Sequence, residues 1–132
     1  MKIIMVSHQG FASGVLSAAK FIVGDLPKIE SVELDDRGIS TFRSEFQKIM
    51  KQISLSEKIV LLSDIPAGSP GNSAFELLTE AGFDTTYLSG CNLPMVLDLV
   101  LSNNIDSALK AGKGGLVDVT AIPETNDEDD DF

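Results

Sequence analysis

His8 is the only histidine in the chain, and it stands where an apolar run, Lys2–Val6, gives way to the stretch QGFASG. Imidazole is the side chain that titrates near neutral pH, and its neutral form keeps a lone pair on one nitrogen. That nitrogen can serve as a nucleophile or as a base. Asp64 follows another apolar run, Lys58–Leu62, and its carboxylate could accept the N–H of one ring nitrogen and leave the other bare. The alternative interpretations are a structural histidine and an aspartate that caps a loop.

Two stretches beside these residues are typical of anion sites. Gly10 and Phe11 follow His8 at the start of a predicted helix, and the loop GSPGNS, residues 68–73, precedes another helix. Free N–H groups and the macrodipole at a helix N-terminus favour an anion, and a phosphoryl group fits both places. We therefore predict that His8 is reversibly phosphorylated and that Asp64 orients its ring. The residues predicted to line the phosphate site are Gly10, Phe11, Ser69, Asn72 and Asn92.

Other chemistries fit the same residues less well. Gly10 and Gly14 do not complete the dinucleotide-binding pattern G-x-G-x-x-G. Ser69 lies in AGSPG, one residue away from the nucleophile-elbow pattern of acyl hydrolases, but Pro70 lacks the N–H that the oxyanion hole needs. One histidine and scattered carboxylates do not supply the ligand set of a catalytic zinc site. The sequence predicts neither a metal nor a cofactor.

The elements that must position these residues alternate along the chain. Apolar residues at helical spacing separate short apolar runs that are typical of strands. The predicted strands are Lys2–Val6, Ile29–Leu34, Lys58–Leu62, Thr85–Leu88 and Leu116–Ala121. This order predicts an α/β fold with an open, mostly parallel sheet and helices on both faces. Ligands of such sheets bind beyond the carboxyl ends of the strands. The residues that the topology gathers there are His8, Asp64, Ser69 and Asn92.

Length and charge limit the classes of protein that fit. The 132 residues suit one domain over residues 1–123, followed by an acidic tail, residues 124–132, which we expect to be disordered. The net charge of −10, with no basic patch, argues against nucleic acid as a partner. No apolar run approaches the roughly 20 residues of a membrane span, so we expect no membrane insertion and a cytoplasmic location. The single cysteine, Cys91, excludes an internal disulfide.

Three blocks of sequence carry a resemblance to a known family. They are IIMVSHQGFASGVLSAA, VLLSDIPAGSPGNSA and YLSGCNLPMVLDLV. In order and spacing the chain resembles the enzyme IIA component of the mannose-family phosphoenolpyruvate-dependent sugar phosphotransferase system. The resemblance implies a phosphocarrier that accepts a phosphoryl group on His8 from the histidine-containing phosphocarrier protein. It would pass the group to a IIB subunit, which phosphorylates the sugar during uptake.

The same resemblance implies roles for further residues and an assembly. Asp64 would orient the imidazole, Ser69 would contribute to the phosphate surroundings, and the segment that begins at Asn92 would border the site. Members of the family form homodimers that exchange a C-terminal strand, and Leu116–Ala121 stands where that strand belongs. The chain ends without a linker, so we expect a free-standing IIA subunit. The alternative is a flavodoxin-like anion-binding or regulatory module in which His8 contacts an anion without phosphotransfer.

Overall fold

Strands and helices alternate along the chain, as the sequence predicts. The computed structural model describes residues 1–123; the predicted acidic tail, residues 124–132, lies outside the described residues. The strands are β1 (Lys2–His8), β2 (Glu30–Leu34), β3 (Ile59–Ser63) and β4 (Thr85–Ser89). The helices are α1 (Phe11–Val23), α2 (Ile39–Met50), α3 (Ser69–Glu80), α4 (Leu93–Ser102) and α5 (Ile105–Gly114). No helix among residues 1–123 is long and apolar enough to cross a membrane.

The sheet is parallel, with the strand order β2-β1-β3-β4. The chain adds β2 on one side of β1 and then crosses to the other side to add β3, so the direction of strand addition reverses between β1 and β3. In open α/β sheets this switch point opens a crevice beyond the carboxyl ends of the two strands. The carboxyl end of β1 is His8, and Asp64 directly follows β3.

Each face of the sheet has its own core, because successive side chains of a strand point to opposite faces. On one face, Ile3, Met5 and Leu62 pack against α1, α4 and α5. On the other face, Ile4 and Val6 pack with residues of α2 and α3. β1 and β3 are therefore buried on both faces, as near-continuous apolar strands of parallel sheets are. This burial fixes the two strand ends that bear His8 and Asp64.

The strand predicted at Leu116–Ala121 is wrong for the single chain. The segment after α5 instead contains a turn of 3₁₀ helix at Val119–Ala121. The side chain of Asp118 caps the start of this turn by accepting a hydrogen bond from the N–H of Thr120. A β segment is stable only when a neighbouring strand satisfies its backbone groups. This segment has no such neighbour among residues 1–123, and its side chains are exposed, Leu116 at 88%.

Candidate active site

The register of the central strands brings His8 and Asp64 together. Val6 of β1 lies opposite Ser63 of β3, so His8, two residues after Val6, and Asp64, directly after Ser63, emerge at the same edge of the sheet. Nδ1 of His8 lies 2.7 Å from Oδ2 of Asp64, and the backbone N–H of His8 donates to the same oxygen at 3.0 Å. Two hydrogen bonds between one pair of residues hold the ring in one orientation relative to the sheet.

The contact with Asp64 selects the tautomer of the imidazole. An ionised carboxylate only accepts hydrogen bonds, so the proton lies on Nδ1 of His8 and the lone pair lies on Nε2. No hydrogen bond formed within residues 1–123 involves Nε2. The His8 side chain is 48% exposed, whereas that of Asp64 is only 11% exposed. The arrangement therefore presents a nucleophilic nitrogen to solvent and buries the group that orients it.

Asp64 is held in its charged form. Its burial raises the pKa of this carboxyl, but hydrogen bonds from the backbone and ring of His8 and from the N–H of Ile65 outweigh burial, so the pKa lies below its ordinary value. Oδ1 accepts the Ile65 N–H at 3.0 Å. The carboxylate is thus negative at neutral pH and can stabilise positive charge that develops on the imidazole.

The first turn of α1 already holds an anion, the carboxylate of Glu33. Oε2 of Glu33 accepts the N–H of Ser13 at 2.8 Å, and the hydroxyl of Ser7 accepts the N–H of Ala12 at 2.9 Å. Burial raises the pKa of Glu33, but hydrogen bonds from the N–H groups of Ser13 and Gly10 outweigh burial. The pKa therefore lies below its ordinary value, and this group is also ionised. Sequence reasoning missed Glu33; its only signal is an acidic residue near the end of a predicted strand.

Gly10 and Phe11, which the sequence predicts to line the phosphate site, lie at this helix start. Gly10 is the N-cap of α1 and has a left-handed φ of 88°, a conformation that favours glycine. It turns the chain sharply from β1 into α1. Phe11 is half-buried against the core that α1, α4 and α5 share. The structure places both residues shortly after His8, and the N–H groups of Ala12 and Ser13, which follow them in the helix, already have acceptors.

Within the described part of the chain, the first turn of α3 has free N–H groups at the carboxyl edge of the sheet, beside His8 and Asp64; we call this edge the rim. Gly68 is its N-cap, and Ser69 and Asn72 are exposed in the first turn. The backbone N–H groups of Ser69 and Gly71 have no acceptor among residues 1–123. A Cβ at Gly68 would lie 3.3 Å from Cε1 of His8, so the chain passes directly beside the imidazole. The structure therefore brings Ser69, with His8 and Asp64, to one site.

Asn92 uses its side chain to hold two helices. Its Oδ1 caps α4 by accepting the N–H of Met95 at 3.1 Å, and its Nδ2 donates to the carbonyl of Gly112 in α5 at 2.8 Å. An N-cap of this kind contributes about 1 kcal/mol to helix stability. The side chain therefore fixes the helices beside the rim, while both of its polar ends are already satisfied.

Neither a thiol nor a metal cluster adds to the chemistry of the rim. Burial, and to a smaller extent the charge of Asp64, raises the pKa of Cys91 to about 12. The thiol is therefore protonated and a poor nucleophile at neutral pH. Within residues 1–123, no three side chains of His, Cys, Asp or Glu converge as metal ligands do.

Comparison with known proteins decides the family. The model of the EIIA-man family, described as "PTS system fructose IIA component", matches residues 2–113. The chain belongs to the EIIA-man family. The resemblance inferred from the three sequence blocks is thereby confirmed, and His8, Asp64 and Ser69 all lie within the matched residues.

Solved structures show the same EIIA-man fold. Component EIIA of the phosphotransferase system from Streptococcus agalactiae is 26% identical, with a TM-score of 0.77, over 92% of this chain and 98% of that chain. The mannose/sorbose-specific IIA subunit from Enterococcus faecalis has a TM-score of 0.80 at 23% identity, over 94% of this chain and 97% of that one. The IIA protein associated with the fucose utilization operon of Streptococcus pneumoniae has a TM-score of 0.78 at 24% identity, over 90% and 93%.

Proposed function

We propose that this EIIA-man protein is a cytoplasmic phosphocarrier of a sugar phosphotransferase system. It accepts a phosphoryl group on His8 from the histidine-containing phosphocarrier protein and passes it to a IIB subunit for sugar uptake. The observation that carries the proposal is the 2.7 Å contact between Nδ1 of His8 and Oδ2 of Asp64. It leaves Nε2 unprotonated and exposed, as a nucleophile that serves a partner protein must be.

The transfer step follows from this tautomer. The lone pair on Nε2 of His8 attacks phosphorus, a new N–P bond forms, and the P–N bond to the donor imidazole breaks with its electron pair returning to the donor nitrogen. The proton stays on Nδ1, so the His8 ring becomes positively charged. The ionised Asp64 carboxylate stabilises this charge, and no proton has to leave the site. The reverse sequence delivers the group to the IIB subunit.

The phosphoryl oxygens lie toward α3 rather than α1 in this proposal. The N–H groups of Ala12 and Ser13 at the start of α1 are occupied by Ser7 and by the negative Glu33, which would repel a phosphate. The backbone N–H groups of Ser69 and Gly71 are free to donate, and α3 directs the positive end of its dipole at the rim. The Ser69 hydroxyl and the Asn72 amide, both exposed in the first turn of α3, are the further donors we assign to the phosphate surroundings. Gly10 and Phe11 border the opposite side.

We also propose a homodimer in which the C-terminal segment crosses to the partner. Three apolar side chains lie exposed within four positions of the chain: Leu116 at 88%, Val117 at 51% and Val119 at 73%. Such a cluster of exposed apolar residues is typical of an interaction surface. β4 is an edge strand, and its outer edge presents backbone groups that a strand from a second chain could satisfy. A donated strand would bury these side chains and close the sheet edge of the partner.

Phosphoryl uptake is tested by mass spectrometry of the intact protein. The chain is incubated with phosphoenolpyruvate, enzyme I and the histidine-containing phosphocarrier protein. We expect a gain of one phosphoryl group that is stable in alkali and lost in mild acid, as a phosphoramidate is, and no gain for His8→Gln. Ser69→Ala should still become phosphorylated, which distinguishes His8 from a serine ester. Failure of the wild-type protein to gain mass would favour the anion-binding module and contradict the proposal.

A further inference from the structure

Three hydroxyl groups form a cluster directly behind the loop that bears Asp64. Oγ of Ser63 lies 2.7 Å from Oγ of Ser89 and 3.0 Å from the hydroxyl of Tyr87. The β3–β4 register places Ser63 opposite Ser89 and Leu61 opposite Tyr87, so all these side chains point to one face of the sheet. We call Ser63, Tyr87 and Ser89 the hydroxyl cluster.

Ser63 is completely buried, and its hydroxyl is the shared member of the cluster. Besides Tyr87 and Ser89 it has a third partner, the carbonyl of Ile65 at 3.3 Å, to which it can donate its one proton while its two lone pairs accept from the other two hydroxyls. Loss of any partner would leave a buried polar group less satisfied, so the cluster favours one arrangement of its members.

Ile65 connects this cluster to the reacting residues. Its carbonyl is held by Ser63, and its N–H donates to Oδ1 of Asp64 at 3.0 Å. The other oxygen of Asp64 holds the ring of His8. Both peptide groups of Ile65 are thus fixed, one by the hydroxyl cluster and one by the carboxylate that sets the His8 tautomer.

Tyr87 also packs against the first turn of α3. A Cβ at Gly71 would overlap the Tyr87 hydroxyl, so the phenol occupies the space beside the first turn of α3 that a side chain would otherwise fill. The Tyr87 ring packs on Phe75 of the same helix, with the ring centroids 5.4 Å apart. Gly71, whose N–H we assign to the phosphoryl oxygens, therefore rests against the same phenol that bonds to Ser63.

We propose that the hydroxyl cluster is a positioning device for phosphotransfer: Ser63, Tyr87 and Ser89 fix Asp64, and through it the tautomer of His8, relative to the donors of α3. The inference rests on the proposed function and names residues that act through Asp64 without touching the phosphoryl group. A cluster that only stabilised the fold would change the unfolding temperature when a hydroxyl is lost. A positioning cluster must also change the His8 ring and the rate of transfer.

The test combines three variants with a matched control. Tyr87→Phe and Ser89→Ala each remove one hydroxyl that bonds to Ser63, and Ser63→Ala removes the hydroxyl that they share. Ser107→Ala is the control, because it deletes a partly buried hydroxyl that donates to Asp98 at 3.0 Å, between α4 and α5. Each protein is measured by thermal unfolding, by ¹⁵N NMR of the unphosphorylated His8 imidazole, and by single-turnover phosphoryl uptake at rising concentrations of donor.

In the wild type and in Ser107→Ala we expect one tautomer, with the proton on Nδ1. In Tyr87→Phe, Ser89→Ala and Ser63→Ala, where these fold, we expect the ¹⁵N shifts of His8 to move toward a mixture of tautomers. The uptake rate at saturating donor should fall by up to about a hundred-fold, the effect of roughly 1 Å of misplacement, while the donor concentration at half-maximal rate stays unchanged. Ser89→Thr, which keeps the hydroxyl, should restore both readouts.

Two results separate failure of this inference from failure of the proposed function. If Tyr87→Phe and Ser89→Ala fold and match the wild type in either the His8 ¹⁵N shifts or the uptake rate, the hydroxyl cluster is not a positioning device. If the wild-type protein itself gains no phosphoryl group, the proposed function fails, and the ¹⁵N shifts alone still report whether the cluster sets the His8 tautomer.

Discussion

One oxygen of Asp64, Oδ2, accepts two hydrogen bonds from His8, at 2.7 Å from ring Nδ1 and at 3.0 Å from the backbone N–H. The second bond ties the carboxylate to the end of β1, so the first bond has little freedom in direction. This pair is supported by β1 and β3, the most deeply buried strands of the sheet. The ring of His8 is therefore oriented before any partner protein arrives.

Replacement of Asp64 by asparagine should slow phosphoryl uptake while the fold stays intact. The amide can donate to Nδ1 and thereby favour the proton on Nε2, which removes the nucleophile. Loss of an orienting carboxylate in a serine protease costs about 10⁴-fold; we expect a smaller loss, because no proton has to move in the proposed transfer.

The rate for Asp64→Asn is measured by rapid quench, with circular dichroism as the check on folding. Asp84→Asn is the matched control. Asp84 is exposed and directly precedes β4, so it lies at the amino ends of the strands, whereas His8 lies at their carboxyl ends. A normal rate in Asp64→Asn would show that this residue only caps its loop.

Acid should remove the stability that Asp64 contributes. The pKa of this carboxyl is below its ordinary value of 3.8 in the folded protein. The contribution is therefore fully present above the ordinary pKa and is lost as the pH falls through the lower folded-state pKa. Urea unfolding of the wild type and Asp64→Asn should show a difference in unfolding free energy that is constant near neutral pH and shrinks below about pH 4. A difference that grows on acidification has the wrong sign for this account.

An alanine at position 71 should destabilise the protein through its contact with Tyr87. Overpacking of this kind costs about 1–3 kcal/mol, which exceeds the gain of roughly 1 kcal/mol that alanine brings over glycine in a helix. In a Tyr87→Ala background the overlap with the phenol is absent and only the 3.0 Å approach to Oγ of Ser63 remains, so the same substitution should cost less. Gly14→Ala in α1 is the control, because nothing lies within 4 Å of its new Cβ. Equal costs of Gly71→Ala with and without the phenol would exclude the contact.

The proposed dimer should depend on residues 116–123. A chain stopped after Pro123 keeps the exposed apolar segment and should elute as a dimer by light scattering. A chain stopped after Gly115 loses Leu116, Val117 and Val119 and should become monomeric or aggregate, because nothing remains to close the β4 edge of the partner. A stable dimer of the shorter chain would show that the helices hold the subunits together.

The sequence predicted the parts of the site that depend on topology. The alternation of strands and helices is enough to place His8 and Asp64 at one rim, since the carboxyl ends of parallel strands meet there. It could not reveal contacts that depend on strand register. Ser63 and Tyr87 are 24 residues apart, and nothing short of the β3–β4 pairing shows that their hydroxyls meet.

Two other differences have equally local causes. Asn92 was predicted to line the phosphate site, and the structure shows its side chain engaged with Met95 and Gly112, a use that only the packing of α5 on α4 makes visible. The segment 116–121 has strand-like composition, but composition does not supply a neighbouring strand. Within one chain these residues form a 3₁₀ turn capped by Asp118 instead of a strand.

The identity of the phosphorylated nitrogen is the most direct test of the account. The protein is labelled with ¹⁵N histidine, phosphorylated through phosphoenolpyruvate, enzyme I and the phosphocarrier protein, and examined by ¹⁵N and ³¹P NMR; with one histidine in the chain, the assignment is unambiguous. We expect phosphorus bonded to Nε2 of His8, with Nδ1 still protonated toward Asp64. Phosphorus on Nδ1 would contradict it, because that nitrogen could react only if the contact with Asp64 were broken.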